Sequence, residues 1–212
     1  MIIGAGGHGA EVSAYVRDVT THGWDGELLG FLDDAPNMEA NGKVLGALDR
    51  FVNCPSDFFR ELYYLTALGS NPARRKVVER VEYLYEGRIS PWTLIHPACH
   101  VGPDVVIGEG TCIAPGSIVT TRARIGKHCI LNIKASVSHD CIIGDFVNLN
   151  PGATICGNVN VGDSAYVGAG AVIKERVTVG ARSVIGAGAV VIRDVPAGVT
   201  VVGVPARIMR HE

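Results

Sequence analysis

The chain has 212 residues, and with 19 Lys and Arg against 21 Asp and Glu its net charge is −2, which gives no electrostatic case for nucleic acid or an anionic membrane surface. A hydrophobic content of 47%, interspersed with both charge signs, fits a globular chain of one or two domains. No apolar run approaches the ~20 residues needed to span a bilayer, and no basic segment followed by an apolar stretch opens the chain, so a cytoplasmic location is expected.

The first element is a short apolar strand, Met1-Ile2-Ile3, whose brevity leaves open residues upstream of this numbering. Gly4-Ala5-Gly6-Gly7-His8-Gly9 comes next and leads into Ala10 to Val16, a helix candidate. Strand, glycine turn and helix in that order let a backbone approach a phosphate, with the helix N-terminus supplying N–H donors and positive dipole. A second strand, Leu28 to Leu32, ends in Asp33-Asp34, carboxylates placed to hydrogen-bond ribose hydroxyls or a base. A third, Tyr63 to Leu68, ends at Gly69-Ser70, and Asn71 to Glu86 reads as a charged amphipathic helix with Asn71 as candidate N-cap.

A GxGxxG loop by itself suggests NAD only weakly. A dinucleotide needs two mononucleotide halves across the switch point of the sheet, and only about ninety residues are available here. A nucleotide-sugar diphosphate therefore fits this Rossmann-like half domain better than NAD. The remaining reading is a domain that only packs against the C-terminal part of the chain.

That C-terminal part is a repeat. From Ile95 to Val191 an aliphatic residue occupies every sixth position without a miss, seventeen in frame. With Val, Ile and Leu at roughly three residues in ten, chance would produce such a run about once in 10⁸ or less. Four residues after each aliphatic comes a small or modest side chain, from Cys99 through Ala135 and Ala153 to Val195. A short strand plus a tight turn, with one aliphatic pointing inward per flat face, accounts for a period of six, and three faces close a coil of eighteen. Gly108, Gly126, Gly144, Gly162 and Gly180 mark that longer period independently. They are expected to stack on one edge, where the turn needs positive φ or close backbone approach. The expected architecture is an α/β Rossmann-like half domain over residues 1–90 followed by a parallel β-helix over 91–212.

The six cysteines form no CxxC pair, and Cys99, Cys129 and Cys141 fall on small inward positions, so they are expected to be reduced packing residues. His96, His100 and His128 read as turn or surface residues. No metal is expected, because His96 and His100 lie more than two coils from His139 and three convergent imidazoles are lacking.

The Gly-Gly-His-Gly loop, Asp33-Asp34, the unbroken hexads, the segment from Asn132 to Asp140 and the tail from Val195-Pro196 through Gly203-Val204-Pro205-Ala206-Arg207 together resemble a known family. It is the bacterial sugar acyltransferases of the left-handed β-helix type, which covers sialic acid O-acetyltransferases and nucleotide-amino-sugar N-acetyltransferases. The resemblance spans the whole chain. It implies the left-handed sense, a homotrimer with active sites between neighbouring prisms, and acetyl-CoA as co-substrate along the groove. It also implies a histidine base followed by an acidic residue, seven positions after an asparagine: His139, Asp140 and Asn132. The backbone amide that meets the acetyl carbonyl falls on Gly157, and further CoA contacts on Ala169 and Ala187. The nucleotide-sugar contacts fall on Gly6, Gly7, His8, Asp33, Asp34 and Gly69. Asn148 stands where some members carry a second histidine, so an amide replaces imidazole at that acetyl contact.

The spacing adds its own expectation. Val137 points inward, so His139 two places later lies on the turn and points out, and Gly157, eighteen residues on, stacks beside it about one strand spacing (~4.8 Å) away. The leading expectation is transfer of acetyl from acetyl-CoA to the amino group of a nucleotide-linked amino sugar by direct attack. The alternatives are an O-acetyltransferase acting on a sugar hydroxyl and a non-catalytic nucleotide-sugar-binding scaffold.

Overall fold

The computed structural model describes residues 1–35 and 42–209, and the chain divides into two compact units, Met1–Pro97 and Ala98–Glu212. In the first unit the strands β1 (Ile2–Ile3), β2 (Phe31–Leu32), β3 (Val44–Gly46), β4 (Tyr63–Thr66) and β5 (Ser90–Pro91) form one parallel sheet in the order β3-β2-β1-β4-β5. Helix α1 (Gly7–Thr21) follows β1 and α2 (Asn71–Tyr85) follows β4. The strands are shorter than the apolar runs suggest because only two to four residues of each find ladder partners. Ile3, Leu32, Leu48, Phe59, Tyr64, Val81, Tyr85 and Ile89 form a core in this unit.

Two readings of local sequence change here. Ser70, not Asn71, caps α2: its Oγ accepts from the Ala73 N–H at 3.4 Å, and Pro72 occupies the first turn, where its missing N–H costs nothing. His96 is buried rather than superficial, its ring edge-on to Tyr15 and its Nε2 2.9 Å from Asp18 Oδ2.

The second unit is a three-faced parallel β-helix. Strands His100–Val101, Ile118–Val119, Ser136–Val137, Thr154–Ile155, Val172–Ile173 and Val190–Val191 pair in register as the first face. Val106–Ile107, Arg124–Ile125, Ile142–Ile143, Asn160–Val161 and Thr178–Val179 make the second. Cys112–Ile113, Ile130–Leu131, Asn148–Leu149, Tyr166–Val167 and Val184–Ile185 run along the third, closed by Thr200–Val202 and the antiparallel Arg207–Ile208. Every partner is eighteen residues away within the repeat, so each side chain sits above its own counterpart in the coil before.

The aliphatic column from Ile113 to Val191 is buried, as are the small residues from Thr111 to Val195. At the first coil the pattern opens: Val101 and Ile107 are half-buried, because the stack has no coil beneath them within this unit. His128 is buried, stacked on Phe146 at 5.1 Å, whereas His100 is exposed as expected.

The glycines at steps of eighteen serve close approach, not positive φ. A Cβ on Gly126 would lie 2.6 Å from the Gly144 carbonyl, inside any tolerable contact. The left-handed conformation falls instead three residues before the next aliphatic, at Asp104, Gly110, Gly116, Arg122, His128, Lys134, Asp140, Phe146, Gly152, Asn158, Ser164, Gly170, Arg176, Arg182 and Gly188. For an L residue this conformation costs roughly 1–2 kcal/mol. From Arg122 on, each turn offsets it in the same way, since the N–H of the left-handed residue reaches back to a carbonyl of the preceding coil: Arg122 to Pro103, Asp140 to Thr121, Asn158 to His139 and Arg176 to Gly157, all at 3.0–3.1 Å.

Candidate active site

That turn geometry holds His139. Its carbonyl accepts from Asn158, and Val137 two residues earlier is anchored in the core. The side chain has no way in and projects from the edge between the first and second faces, 53% exposed. The ring lies directly on Gly157: a Cβ there would stand 2.6 Å from His139 Nε2 and 2.7 Å from Cε1. Imidazole and glycine are therefore neighbours on one edge, and glycine is the one residue that leaves the ring its place.

The other ring nitrogen, Nδ1, lies 2.7 Å from Asp140 Oδ2. A carboxylate can only accept, so Nδ1 carries a proton, and in the neutral ring Nε2 presents its lone pair. Asp140 is in turn gripped by Arg122, whose Nε donates to Oδ1 at 2.7 Å and whose Nη2 donates to Oδ2 at 3.0 Å. The Arg122 guanidinium first, then the His139 bond, pull the Asp140 carboxyl down to about 2. It is a fixed anion at any neutral pH. Arg122 escaped the sequence reading, although the signal was present: it precedes Asp140 by one coil of eighteen.

The remaining expected residues of the β-helix lie elsewhere on the prism. Asn132, Ala169 and Ala187 share the edge between the third and first faces, separated from His139 by the whole first face. Asn132 Oδ1 caps the Ile133 N–H at 2.7 Å. Asn148 is a buried strand residue of the third face. Within one chain the structure thus joins His139, Asp140 and Gly157 and keeps Asn132, Asn148, Ala169 and Ala187 apart from them.

The edges differ in what their backbones offer. At the edge between the second and third faces, the Lys127 and Asp145 N–H groups are taken by the carboxylates of Asp145 and Asp163. The corresponding N–H groups of Gly157, Ala169 and Ala187 have no hydrogen-bond partner among the described residues. Ala169 and Ala187 are exposed, and a Cβ on the adjoining Gly170 or Gly188 would meet nothing within 4 Å. An edge of small residues with unspent N–H donors suits a thin chain bearing amide carbonyls, as the pantetheine arm of CoA does.

In the first unit, α1 begins without a side-chain cap among the described residues, which leaves its first-turn N–H groups pointing out of the helix end without one. Side chains added at Gly6, Gly7 or Gly69 would meet nothing within 4 Å, which marks them as bordering open space. His8 Nδ1 is 3.1 Å from Glu11 Oε2, and its Nε2 is buried with no partner among the described residues. Asp33 holds the loop, accepting from the Ala5 and Ala35 N–H groups at 2.8 and 2.9 Å. Asp34 accepts from the Leu48 N–H at 3.0 Å and pairs with Arg80. Both carboxylates therefore organise their own unit and would meet a ligand with their remaining lone pairs. Among the described residues no group of three or more His, Cys, Asp or Glu could hold a metal ion. No helix among them is long and apolar enough to cross a membrane.

An α/β unit with a glycine-loop helix, joined to a hexapeptide β-helix that carries a histidine on a glycine edge, defines a transferase of the hexapeptide-repeat class. The PglD N-terminal domain model matches residues 1–81, and the bacterial transferase hexapeptide (six repeats) model matches residues 93–121 and 158–193. The acetyltransferase domain of PglB from Neisseria gonorrhoeae is similar over 98% of both chains, with 34% identity and a TM-score of 0.88. A histidine-to-asparagine mutant of the perosamine N-acetyltransferase from Caulobacter crescentus, solved with CoA and GDP-perosamine, is similar over 99% of this chain and 96% of that one, with 32% identity and a TM-score of 0.86. The GDP-perosamine N-acetyltransferase of Escherichia coli O157:H7 is 36% identical over 148 residues, 69% of this chain; the match spans 64% of that relative's length. The chain belongs to the bacterial sugar acyltransferases that join a PglD-type N-terminal domain to a left-handed hexapeptide β-helix.

Proposed function

We propose that the protein transfers the acetyl group of acetyl-CoA to the amino group of a nucleotide-linked amino sugar, with His139 as general base. The observation that carries this reading is the His139 ring, tautomerically fixed by Asp140, lying against Gly157 with its unspent N–H. Nε2 takes a proton from the attacking amine as its nitrogen bonds to the thioester carbon. The Gly157 N–H stabilises the oxyanion, the C–S bond breaks, and the proton passes to the departing thiolate of CoA. A positioned base is typically worth 10²–10⁴-fold and one oxyanion donor about 2.7–4 kcal/mol. No acyl-enzyme is required: the Cys141 thiol is buried and pushed up by desolvation, away from the reactive thiolate form.

The names of the relatives support an amino group as acceptor and CoA as the carrier. Residues 1–90 are assigned to the nucleotide sugar through Gly6, Gly7, His8, Asp33, Asp34 and Gly69, and residues 91–212 to acetyl-CoA through Asn148, Gly157, Ala169 and Ala187. Because Asn132, Ala169 and Ala187 lie on a different edge from His139, a complete site needs a second prism, which favours a homotrimer with sites between copies. Six free cysteines fit a cytoplasmic, reducing location.

Thiol release from acetyl-CoA, measured with a panel of UDP-, GDP- and dTDP-linked amino sugars and their hydroxyl counterparts, tests the reaction. Release with amino sugars alone is expected. Release only with hydroxyl acceptors establishes O-acetylation instead, and no release with any acceptor leaves a binding scaffold. Light scattering should return three times the 22.3 kDa chain mass; a monomer overturns the shared site.

A further inference from the structure

The edge that bears His139 carries a ladder of left-handed turn residues one coil apart: Asp104, Arg122, Asp140, Asn158 and Arg176. All share the same backbone conformation, and from Arg122 on each makes the same N–H bond to the coil before, so their side chains leave the edge in parallel, about one strand spacing (~4.8 Å) apart. Arg122 and Asp140 are adjacent rungs of opposite charge. Their contact is two-pronged, and one prong shares Oδ2 with the His139 ring.

The geometry points to Arg122 as a positioning residue for the proposed reaction: it clamps the Asp140 carboxylate in the plane that fixes the His139 tautomer over Gly157, and offsets the negative charge that would otherwise favour a protonated, unreactive ring. A planar guanidinium fork can lock both oxygens of a carboxylate, which a point-charge ammonium cannot. The fold does not need the pair. Arg122 and Asp140 are substantially exposed, at 57% and 33%, where ion pairs add little stability. Their value lies in orientation and charge.

The other charges along this edge are Asp104, one coil beyond Arg122, the Lys174–Glu175 pair with Arg176, one coil beyond Gly157, and Arg193 and Asp194 a coil further still, where Asp194 accepts from the Thr178 N–H. Arg124 projects from the adjoining face, and the nearby thiols of Cys141 and Cys156 are neutral neighbours. None of them bonds to the imidazole, so removing the guanidinium leaves Asp140 as the dominant charge at the ring.

This role rests on His139 acting as base, but its test is independent of turnover. The His139 ring resonances, assigned by difference with His139→Gln, are followed against pH by NMR in the intact protein. Arg122→Gln should raise the ring's titration midpoint by about 0.5–1 pH unit, from one unit charge removed several ångströms away in a largely aqueous setting. Asp140→Asn should lower it by a similar amount. Arg122→Lys should keep the midpoint near wild type while the nitrogen shifts report a mixture of tautomers, because charge is restored without the fork. The acid limb of kcat/KM in Arg122→Gln should move upward with the ring, with both KM values unmoved. An unchanged midpoint and tautomer in Arg122→Gln overturns the inference. If the ring shifts as stated while no acceptor supports thiol release, the positioning role stands and the assigned reaction fails.

Discussion

Replacing Gly157 with alanine tests the site with one methyl group. The backbone there does not adopt positive φ, so alanine fits the chain conformation without strain. The methyl carbon, however, would lie 2.6 Å from His139 Nε2 and 2.7 Å from Cε1, against an ordinary contact near 3.5 Å. The ring must retreat by about 0.8–1 Å. It can do so into solvent, because it is half exposed, at the expense of its 2.7 Å bond to Asp140. Fold stability should therefore change by less than ~1 kcal/mol, within the usual range for a surface position. Catalysis should not escape, since a misplacement of 1 Å can cost about 10²-fold, equivalent to about 2.7 kcal/mol in the barrier. Steady-state thiol release should show kcat lowered about 10- to 100-fold with KM for the nucleotide sugar nearly unchanged, and thermal unfolding should confirm an intact fold. A Gly157→Ala protein that turns over at the wild-type rate would refute the reasoning, because the ring would then not need to lie where the structure puts it.

His139→Ala should lower kcat by at least ~10² while calorimetry finds CoA affinity nearly intact; a fall in affinity alone would reassign the ring to binding. Asp140 has its carboxyl depressed to about 2 in the folded chain, below the ~3.9 of an unfolded aspartate. The associated stabilisation is thus present above pH 4 and fades as pH falls toward 2, so the gap in melting temperature between wild type and Asp140→Asn should narrow over that window and stay level from pH 5 to 8. Leu149 is fully buried in the coil stack, and Leu149→Ala should cost about 2–5 kcal/mol in denaturant unfolding. Of the cysteines, Cys112, Cys129 and Cys141 are buried, and mass spectrometry should find them unmodified after iodoacetamide treatment of the native protein; rapid labelling of Cys141 would contradict its raised thiol.

The β-helix was legible in the sequence because its geometry is local and repeated: one inward aliphatic per hexad and partners at steps of eighteen need no knowledge of distant contacts. That register was enough to set His139 beside Gly157. The left-handed column was harder to read, since it is occupied by Asp, Arg, His, Lys, Phe, Asn and Ser as well as glycine. What selects these positions is a backbone bond to the preceding coil, not a residue preference. The N-terminal unit was read in outline, but its strands shrank to the few residues that find partners, and Val44–Gly46 and Ser90–Pro91 joined the sheet without any apolar run to announce them.

By itself, then, the order of residues determined the coil, its eighteen-residue register and which side chains leave the prism, because a period of six admits only one way to bury its aliphatics. Only the folded chain decided how those outward groups pair: that Arg122 grips Asp140, and that Asp33 divides its oxygens between the glycine loop and the Ala35 N–H while Asp34 meets Arg80. Rotamers and hydrogen-bond partners are settled by what lies one coil up or across a sheet, and that information exists only once the backbone has closed.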